Sequence, residues 1–328
     1  VILGKLNTHE FAFGAMTTSP HFGPAHNPWS LDRICGGSSG GSGAAAAAGL
    51  AAGTLGTDTA GSIRIPAAFC GVTGLRPSSG LVPNHGVVPV SWTFDTVGPI
   101  ARSAEDCALL LDAIAGTRSV VEGGAQGLRV GVVEALLDLA DPRVADTVRA
   151  GVSTLVALGA TAEPVEVPQL QEAGTIKQLV MLPEATNAHL EWLRTRLGEY
   201  GADVRARLLA GLFLPATAYV TGLRARRGYC DGVDRLFERF DVLAAPAMPV
   251  VAPRIGESEV ELGGERVAFR LAVIPFNSPW SLAGLPVLSI PCGFVAEKLT
   301  GAYRSRQLMA VENDIDAGAL GERDGIDV

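Results

Sequence analysis

An α/β fold is the architecture that the sequence predicts, because two kinds of apolar pattern alternate along the chain. Short runs rich in Val, Ile and Leu, such as 128–133 and 241–245, are separated by longer amphipathic segments, such as 142–158 and 184–197. Short continuous apolar runs are typical of buried strands, and apolar residues repeated every three or four positions are typical of helices. Their alternation indicates a sheet that is covered by helices.

The segment 142–158 is the clearest of the predicted helices. Its apolar residues recur at helical spacing: Val144, Val148, Val152 and Leu155. Gly159 follows directly, and a glycine at this place is a common helix-ending signal. A strand is predicted next, at 161–167.

A single domain is predicted for residues 1–294. The glycine-rich stretch 117–127 is interpreted as a surface connection rather than a linker between domains, because strand patterns resume directly after it. Residues 295–328 are more polar and acidic and carry little strand pattern, so we expect a divergent, solvated or disordered tail there.

Composition excludes several functional classes. The 328 residues carry a net charge of −8, with a pI near 5.2, and this argues against a general nucleic-acid surface, which needs clustered cations. Five widely spaced cysteines without a Cys-x-x-Cys pair suggest neither a disulfide framework nor a zinc site. The histidines show no metal-binding spacing either, so metal catalysis is not expected.

The longest stretch of small apolar residues, 44–52, is too short to span a bilayer. No charged segment followed by an apolar one opens the chain, so nothing in the sequence favours export. We therefore expect a cytoplasmic protein that does not associate with membranes.

Two glycine-rich loops are the strongest chemical signal. The first reads GGSSGGS at 36–42 and the second GTDTAGSIR at 56–64, with Ser62 placed 24 residues after Ser38. Glycines allow backbone N–H groups to converge on one point, as an oxyanion hole requires, and a serine at the end of such a turn is a plausible nucleophile. A linker is disfavoured because apolar residues follow, and a P-loop because no Gly-Lys-Ser/Thr follows.

Together with the continuation IPAAFCG at 65–71, these loops resemble the defining signature of the amidase-signature family. Further similar motifs are GK at 4–5, NPW at 27–29, GLRP at 74–77, Asp95 with GP at 98–99, PFN at 275–277 and GLP at 284–286. The likeness extends from residue 1 to about 294. It implies a mixed, largely parallel sheet with helices on both faces, incomplete at the N-terminus and altered at the C-terminus.

The resemblance also implies a set of roles. Ser62 would be the acylated nucleophile, and Ser38 the bridging serine, held by a cis peptide bond. The backbone amides of Thr59, Ala60, Gly61 and Ser62 would form the oxyanion hole. The implied activity is hydrolysis of a carboxamide to a carboxylate and ammonia or an amine, by a Ser-cisSer-Lys mechanism without a cofactor. From their spacing, Asp58 and Arg64 are expected to pair and brace the Ser62 loop.

The chain departs from the family pattern in three places. The family's lysine belongs to a Val/Ile-Lys-Asp motif several tens of residues before the bridging serine, and only 37 residues precede Ser38. Lys5 belongs to a separate family stretch, where a structural role at a strand end is expected, and Lys177 and Lys298 lie in no matching context. We therefore expect a fragment without the base and with impaired hydrolysis. Ala60 stands where glycine is usual, and the residues after Phe294 do not continue the family's strand.

Alternatives remain open at this level. One is the glutamine-hydrolysing A subunit of a tRNA-dependent amidotransferase, and another is a non-catalytic remnant or binding protein with the same fold. A Ser-His-Asp hydrolase is a weaker rival, because the last histidine, His189, lies in a helical segment. Trp92, Phe94 and Tyr219 could line an acyl pocket but are more simply core residues. The expected partner is a small amide, without direct nucleic-acid contact; a homo-oligomer is compatible with the sequence.

Overall fold

The computed structural model describes residues 1–119, 123–295 and 308–312. The α-helices are α1 (Gly40–Ala47), α2 (Arg64–Cys70), α3 (Ala104–Ala115), α4 (Glu134–Leu139), α5 (Pro142–Ala157), α6 (Ala173–Ala188), α7 (Leu190–Thr195), α8 (Ala202–Gly211), α9 (Ala216–Asp234), α10 (Phe269–Ala272) and α11 (Ile274–Ala283). Short 3₁₀ turns lie at Glu10–Ala12, Leu197–Glu199 and Arg235–Glu238.

The strands are β1 (Thr18–Ser19), β2 (Gly23–Pro24), β3 (His26–Asn27), β4 (Ser30–Ile34), β5 (Gly53–Thr57), β6 (Thr73–Arg76), β7 (Val97–Ala101), β8 (Arg129–Val132), β9 (Thr161–Pro164), β10 (Val242–Ala245), β11 (Glu259–Leu262), β12 (Glu265–Ala268), β13 (Val287–Ile290) and β14 (Leu308–Glu312). Eight of them form the main sheet, in the order β5-β7-β6-β13-β14-β10-β8-β9.

The main sheet is mixed, as predicted, but the expectation that it is largely parallel is wrong. Among the described strands of this sheet, only the β10–β8 and β8–β9 pairs are parallel, whereas the five pairs from β5 through β7, β6, β13 and β14 to β10 are antiparallel. Apolar runs indicate buried strands of either direction, so the pattern carried no information on this point.

Helices cover both faces of the sheet, which confirms the α/β class. Alternate residues of β10 point to opposite sides. Val242 and Ala244 belong to the apolar cluster that contains Val148 of α5, whereas Leu243 and Ala245 belong to the larger cluster. That larger cluster is built around α6, α9 and α11 and supports the site.

β14 was not predicted. It lies within the expected tail, yet it pairs with both β13 and β10 in the middle of the sheet. The tail is otherwise described only at Val295, which is buried. The rest of the predicted tail lies outside the described residues.

The predicted helix at 142–158 is α5, and Asp141 caps it by accepting the Arg143 backbone N–H. The predicted helix at 184–197 is divided, because α6 ends at Ala188 and α7 begins at Leu190. Within the described part of the chain, no single helix has the length and apolarity to cross a membrane. Only a pair bent by 92°, Ala202–Gly211 with Ala216–Glu238, meets those criteria together.

Candidate active site

The two glycine-rich loops lie against each other at the start of α1 and α2. The Ser39 backbone N–H donates to the Ser62 carbonyl oxygen at 3.1 Å, so the chain around Ser38 is joined directly to the chain around Ser62. The Gly37–Ser38 peptide bond is cis. Gly37 has no space for a side chain, since a Cβ atom there would lie 2.7 Å from the Met16 backbone nitrogen.

The two serine hydroxyls differ in their surroundings. Ser38 is 1% exposed, and its Oγ has no hydrogen-bond partner among the described residues. Ser62 is 8% exposed and lines a cavity of about 910 Å³. Within the described part of the chain no hydrogen bond joins the two hydroxyls. The geometry places Ser62 at the cavity wall and Ser38 buried beside it.

Backbone amides surround Ser62, but not all four of the predicted ones are available. The Gly61 N–H donates to Asp58 Oδ1 at 2.7 Å, so it differs from the expected oxyanion-hole donor because a carboxylate already accepts its hydrogen. Among the residues that the structure describes, none accepts a hydrogen bond from the Thr59, Ala60 or Ser62 amide. Thr59 and Ala60 line the cavity beside Ser62.

A buried ion cluster fixes the Ser62 loop. Asp58 accepts from Arg64 Nε at 3.0 Å and from Arg64 Nη2 at 2.9 Å, and Arg76 lies on the same carboxylate at 3.4 Å. All three side chains are fully buried. Burial alone would raise the pKa of Asp58, but the two guanidinium groups and the Gly61 amide hold this pKa well below its usual range. Asp58 is therefore an ionised anchor for the turn.

Gly61 is a position where the turn requires glycine. Its φ of 112° lies in the region that L-residues rarely adopt, and a Cβ atom would lie 2.6 Å from the Asn277 side chain. Asn277 is fully buried and donates from Nδ2 to the Ala247 carbonyl at 3.1 Å. Moving its side chain away from an added Cβ atom would break this buried hydrogen bond.

A second buried carboxylate positions Thr59. Asp95 Oδ1 accepts from the Thr59 hydroxyl at 2.5 Å, and Asp95 Oδ2 accepts from the Val90 and Ser91 backbone amides. Burial raises the pKa of Asp95 despite these donors. Glu184 of α6 holds the same segment, since its carboxylate accepts from the Ser91 hydroxyl. No role was predicted from the sequence for Asp95, Asn277 or Glu184. Asp95 and Asn277 belong to motifs that resemble those of the family, whereas no motif singles out Glu184.

The cavity extends from Ser62 along α6 and toward α8, α10 and α11. Its apolar wall includes Phe13, Ile65, Val90, Met181 and Val273. An apolar cavity with a few polar groups at one end is typical of a small-molecule site.

Lys177 lies in this cavity, which the sequence did not predict. It stands on α6, is 1% exposed and lines the same cavity as Ser62 and Thr59. Burial lowers its pKa to about 7. The surrounding charges have smaller effects: Asp58 and Asp95 raise this pKa, and Arg64 and Arg76 lower it. No role was predicted for Lys177 from the sequence, whereas the structure places it on the wall of the cavity that contains Ser62. Its place in the cavity gave no signal in the sequence, because α6 follows the loops by more than a hundred residues and only the fold brings them together.

The rival candidates lie elsewhere. His189 shares a hydrogen bond of 2.9 Å with the Tyr200 hydroxyl and packs against Phe11, and it does not line the cavity of Ser62, so it is not the base of a Ser-His-Asp triad there. His9 does line this cavity, but its ring faces Asp203 at 3.7 Å and makes no hydrogen bond with Ser62 among the described residues. Phe94 is a core residue, and Tyr219 donates to Glu184 rather than lining the cavity. Within the described ranges, no group of three or more His, Cys, Asp or Glu residues could hold a metal ion.

The sheet with helices on both faces, and the two serine–glycine loops that meet at one cavity, are features of amide hydrolases. The family model "Amidase" matches residues 1–312. An amidase from Pseudomonas putida is 40% identical, over 98% of this chain and 72% of the relative. The A subunit of the glutamyl-tRNA(Gln) amidotransferase from Moorella thermoacetica is 37% identical, over 90% of this chain and 67% of the relative.

A solved structure is also similar. It comes from work on an unexpected vestigial protein complex that reveals the evolutionary origins of an s-triazine catabolic enzyme. The TM-score is 0.88 at 36% identity, covering 96% of this chain and 71% of that one. The chain belongs to the amidase-signature family, whose members hydrolyse carbon–nitrogen bonds, and the predicted family and enzyme class are thereby confirmed.

Proposed function

We propose that the chain hydrolyses a carboxamide through an acyl intermediate on Ser62, releasing a carboxylate and ammonia or an amine. The observation that carries this proposal is the position of Ser62. It lies on the cavity wall beside the Thr59 and Ala60 amides, which are engaged by no described residue. Donors fixed around the point where negative charge develops are the main stabilising element for acyl transfer.

In this mechanism Ser62 Oγ attacks the amide carbon, and the Thr59, Ala60 and Ser62 N–H groups bind the oxygen that becomes negative. The Gly61 N–H acts indirectly, because its bond to Asp58 holds the turn. The Ser62 proton passes to Ser38 Oγ, and a lysine acting through Ser38 receives it and later returns it to the leaving amine. Water then attacks the acyl-enzyme. Asp58, Arg64 and Asp95 hold the donors and do not touch the substrate.

The unpartnered Ser38 hydroxyl supports this bridging role, because a buried hydroxyl normally makes a hydrogen bond. The lysine that the family resemblance implies would supply that bond. Lys5 is exposed, and Lys177 makes no hydrogen bond with Ser38, so neither described lysine stands in this position.

The test is release of ammonia or amine from simple carboxamides by the chain and by its Ser62→Ala variant. A serine hydroxyl is weakly nucleophilic without its base, so slow turnover that disappears in Ser62→Ala would support the proposal. Ser42→Ala is the matched control: Ser42 lies in the other glycine-rich loop and donates to the Leu55 carbonyl, so turnover should persist. Turnover that is equal in Ser62→Ala and the unchanged chain would contradict the assignment.

A second candidate is the glutamine-hydrolysing component of an amidotransferase, which is favoured by the relative from Moorella thermoacetica. Glutamine would then be a much better substrate than simple amides, and a partner protein would raise its turnover. A non-catalytic binding protein is the remaining alternative, and turnover that depends on Ser62 would exclude it.

We also propose a single amidase domain that includes β14 in its sheet, and a cytoplasmic location. The domain proposal is supported by the pairing of β14 with β13 and β10. The location is supported by Cys35, Cys70 and Cys107, which are buried thiols, as in proteins of reducing compartments.

A further inference from the structure

Lys177 is a cation that the proposed chemistry does not use. It lies on the α6 face that borders the cavity, next to Gln178 and one turn before Met181. At 1% exposure it is among the largest fully buried side chains of the described residues. Burying an ammonium group is unfavourable unless a partner compensates for the lost hydration, so its position needs an explanation.

No described residue provides that compensation. Among the residues that the structure describes, no carboxylate forms an ion pair with Lys177 and no group forms a hydrogen bond with its side chain. The two acids whose charges act on it most favourably are Asp58 and Asp95. Asp58 already binds two arginines, and Asp95 binds the Thr59 hydroxyl and two backbone amides.

The acids that line the cavity do not compensate the charge of Lys177 either. Asp203 is paired with Arg207 at 2.6 Å, and Glu259 with Arg266 at 3.3 Å. The exposed Arg270 also borders the cavity and pairs with no acid in the described part of the chain. Two cations therefore face the cavity without an acidic partner, and a bound anion would balance them.

No contact of Lys177 with either serine assigns it as the base of the reaction. A general base must lie within about 2.6–3.2 Å of the group that it deprotonates, or one water away. Ser38 Oγ has no partner at all among the described residues, and Ser62 makes no hydrogen bond with Lys177. The lysine instead borders the space that a substrate bound at Ser62 would occupy.

We propose that Lys177 is a specificity-determining residue that binds a carboxylate on the acyl half of the substrate, so that the site selects monoamides of dicarboxylic acids. This inference rests on the proposed function, because it assumes that the acyl half lies in the Ser62 cavity. A protonated lysine facing an otherwise apolar wall recognises an anion strongly, because the ion pair is shielded from water.

The experiment compares kcat/KM for succinamate and glutaramate with that for their neutral isosteres levulinamide and 5-oxohexanamide, in which an acetyl group replaces the carboxylate. The unchanged chain should prefer the acids at least tenfold. Lys177→Met keeps an unbranched side chain one atom shorter and removes its charge, and it should lower this preference at least tenfold, mainly through KM. Lys177→Arg should retain part of the preference. Lys5→Met, at an exposed lysine outside the cavity, should leave it unchanged.

Two outcomes would overturn the inference: no preference for the acids in the unchanged chain, or an equal fall of kcat for acids and isosteres in Lys177→Met, which would assign it to catalysis. A binding measurement separates this result from failure of the proposed function. Succinamate and glutaramate should be titrated calorimetrically into the Ser62→Ala variant and into the double variant that also carries Lys177→Met. The dissociation constant should be at least tenfold higher for the double variant. If no amide is turned over but this difference is found, the proposed function fails and the carboxylate site stands; equal affinities would overturn the carboxylate site.

Discussion

Replacing Asp58 by asparagine tests how much of the site depends on one buried charge. The substitution keeps the shape of the side chain but removes the charge that balances Arg64 and Arg76, and it replaces one acceptor oxygen by an N–H₂ donor. Both guanidinium groups are fully buried, so no water can compensate them. The turn would also lose an acceptor for the Gly61 or Ile63 amide.

The expected cost follows from these contacts. Removing one partner of a buried ion pair typically costs about 3–5 kcal/mol, because the remaining charge is left uncompensated. A domain has a free energy of unfolding of about 5–15 kcal/mol, so Asp58→Asn should lose a large fraction of it. Turnover should fall as well, since the Thr59 and Ala60 amides are then held less firmly.

Urea unfolding provides the assay, and Asp241→Asn provides the matched control. Asp241 also binds one arginine in a bidentate manner and accepts one backbone amide, both from Arg129, but on the surface, where the two side chains are 39% and 46% exposed. Such exposed pairs contribute about 0–1 kcal/mol. If Asp58→Asn were destabilised no more than Asp241→Asn, the view that the buried charge anchors the turn would be refuted.

Two further substitutions test the site by stability. Lys177→Met should stabilise the chain, most strongly at and below about pH 7. The folded-state pKa of Lys177 is about 7 against 10.5 unfolded, so above pH 7 the unfolded state binds more protons, and the advantage of the variant should shrink by about 1.4 kcal/mol per pH unit. Urea unfolding at pH 7 and pH 9 measures this, and a constant difference would contradict it. Gly61→Ala should cost about 1–3 kcal/mol for backbone strain, plus the clash with Asn277. Gly80→Ala, also at positive φ but with nothing within 4 Å of the added Cβ, is the control; an equal loss in both would show that the contact with Asn277 does not matter.

The loops of the site could be predicted because their signal is local. Ser38, Ser62, Asp58 and Arg64 all lie within two short glycine-rich motifs, so residue type and spacing were enough to propose a common site. The engaged Gly61 amide could not be predicted, because spacing does not show which amide a nearby carboxylate will bind.

The remaining features depend on contacts between distant parts of the chain. Lys177 lies in an unremarkable helical sequence, and only the packing of α6 beside the Ser62 loop places it in the cavity. The position of β14 was hidden because its surroundings in the sequence are polar and acidic. The antiparallel majority of the sheet was missed because strand periodicity does not encode pairing direction.

Labelling of the nucleophile tests the central claim most directly. A fluorophosphonate reacts covalently with activated serine hydroxyls, and peptide mapping by mass spectrometry identifies the labelled residue. We expect the label on Ser62, its loss in Ser62→Ala, and its retention in Ser42→Ala. A label on any other serine, or equal labelling of the unchanged chain and Ser62→Ala, would contradict the assignment of Ser62 as the residue that is acylated.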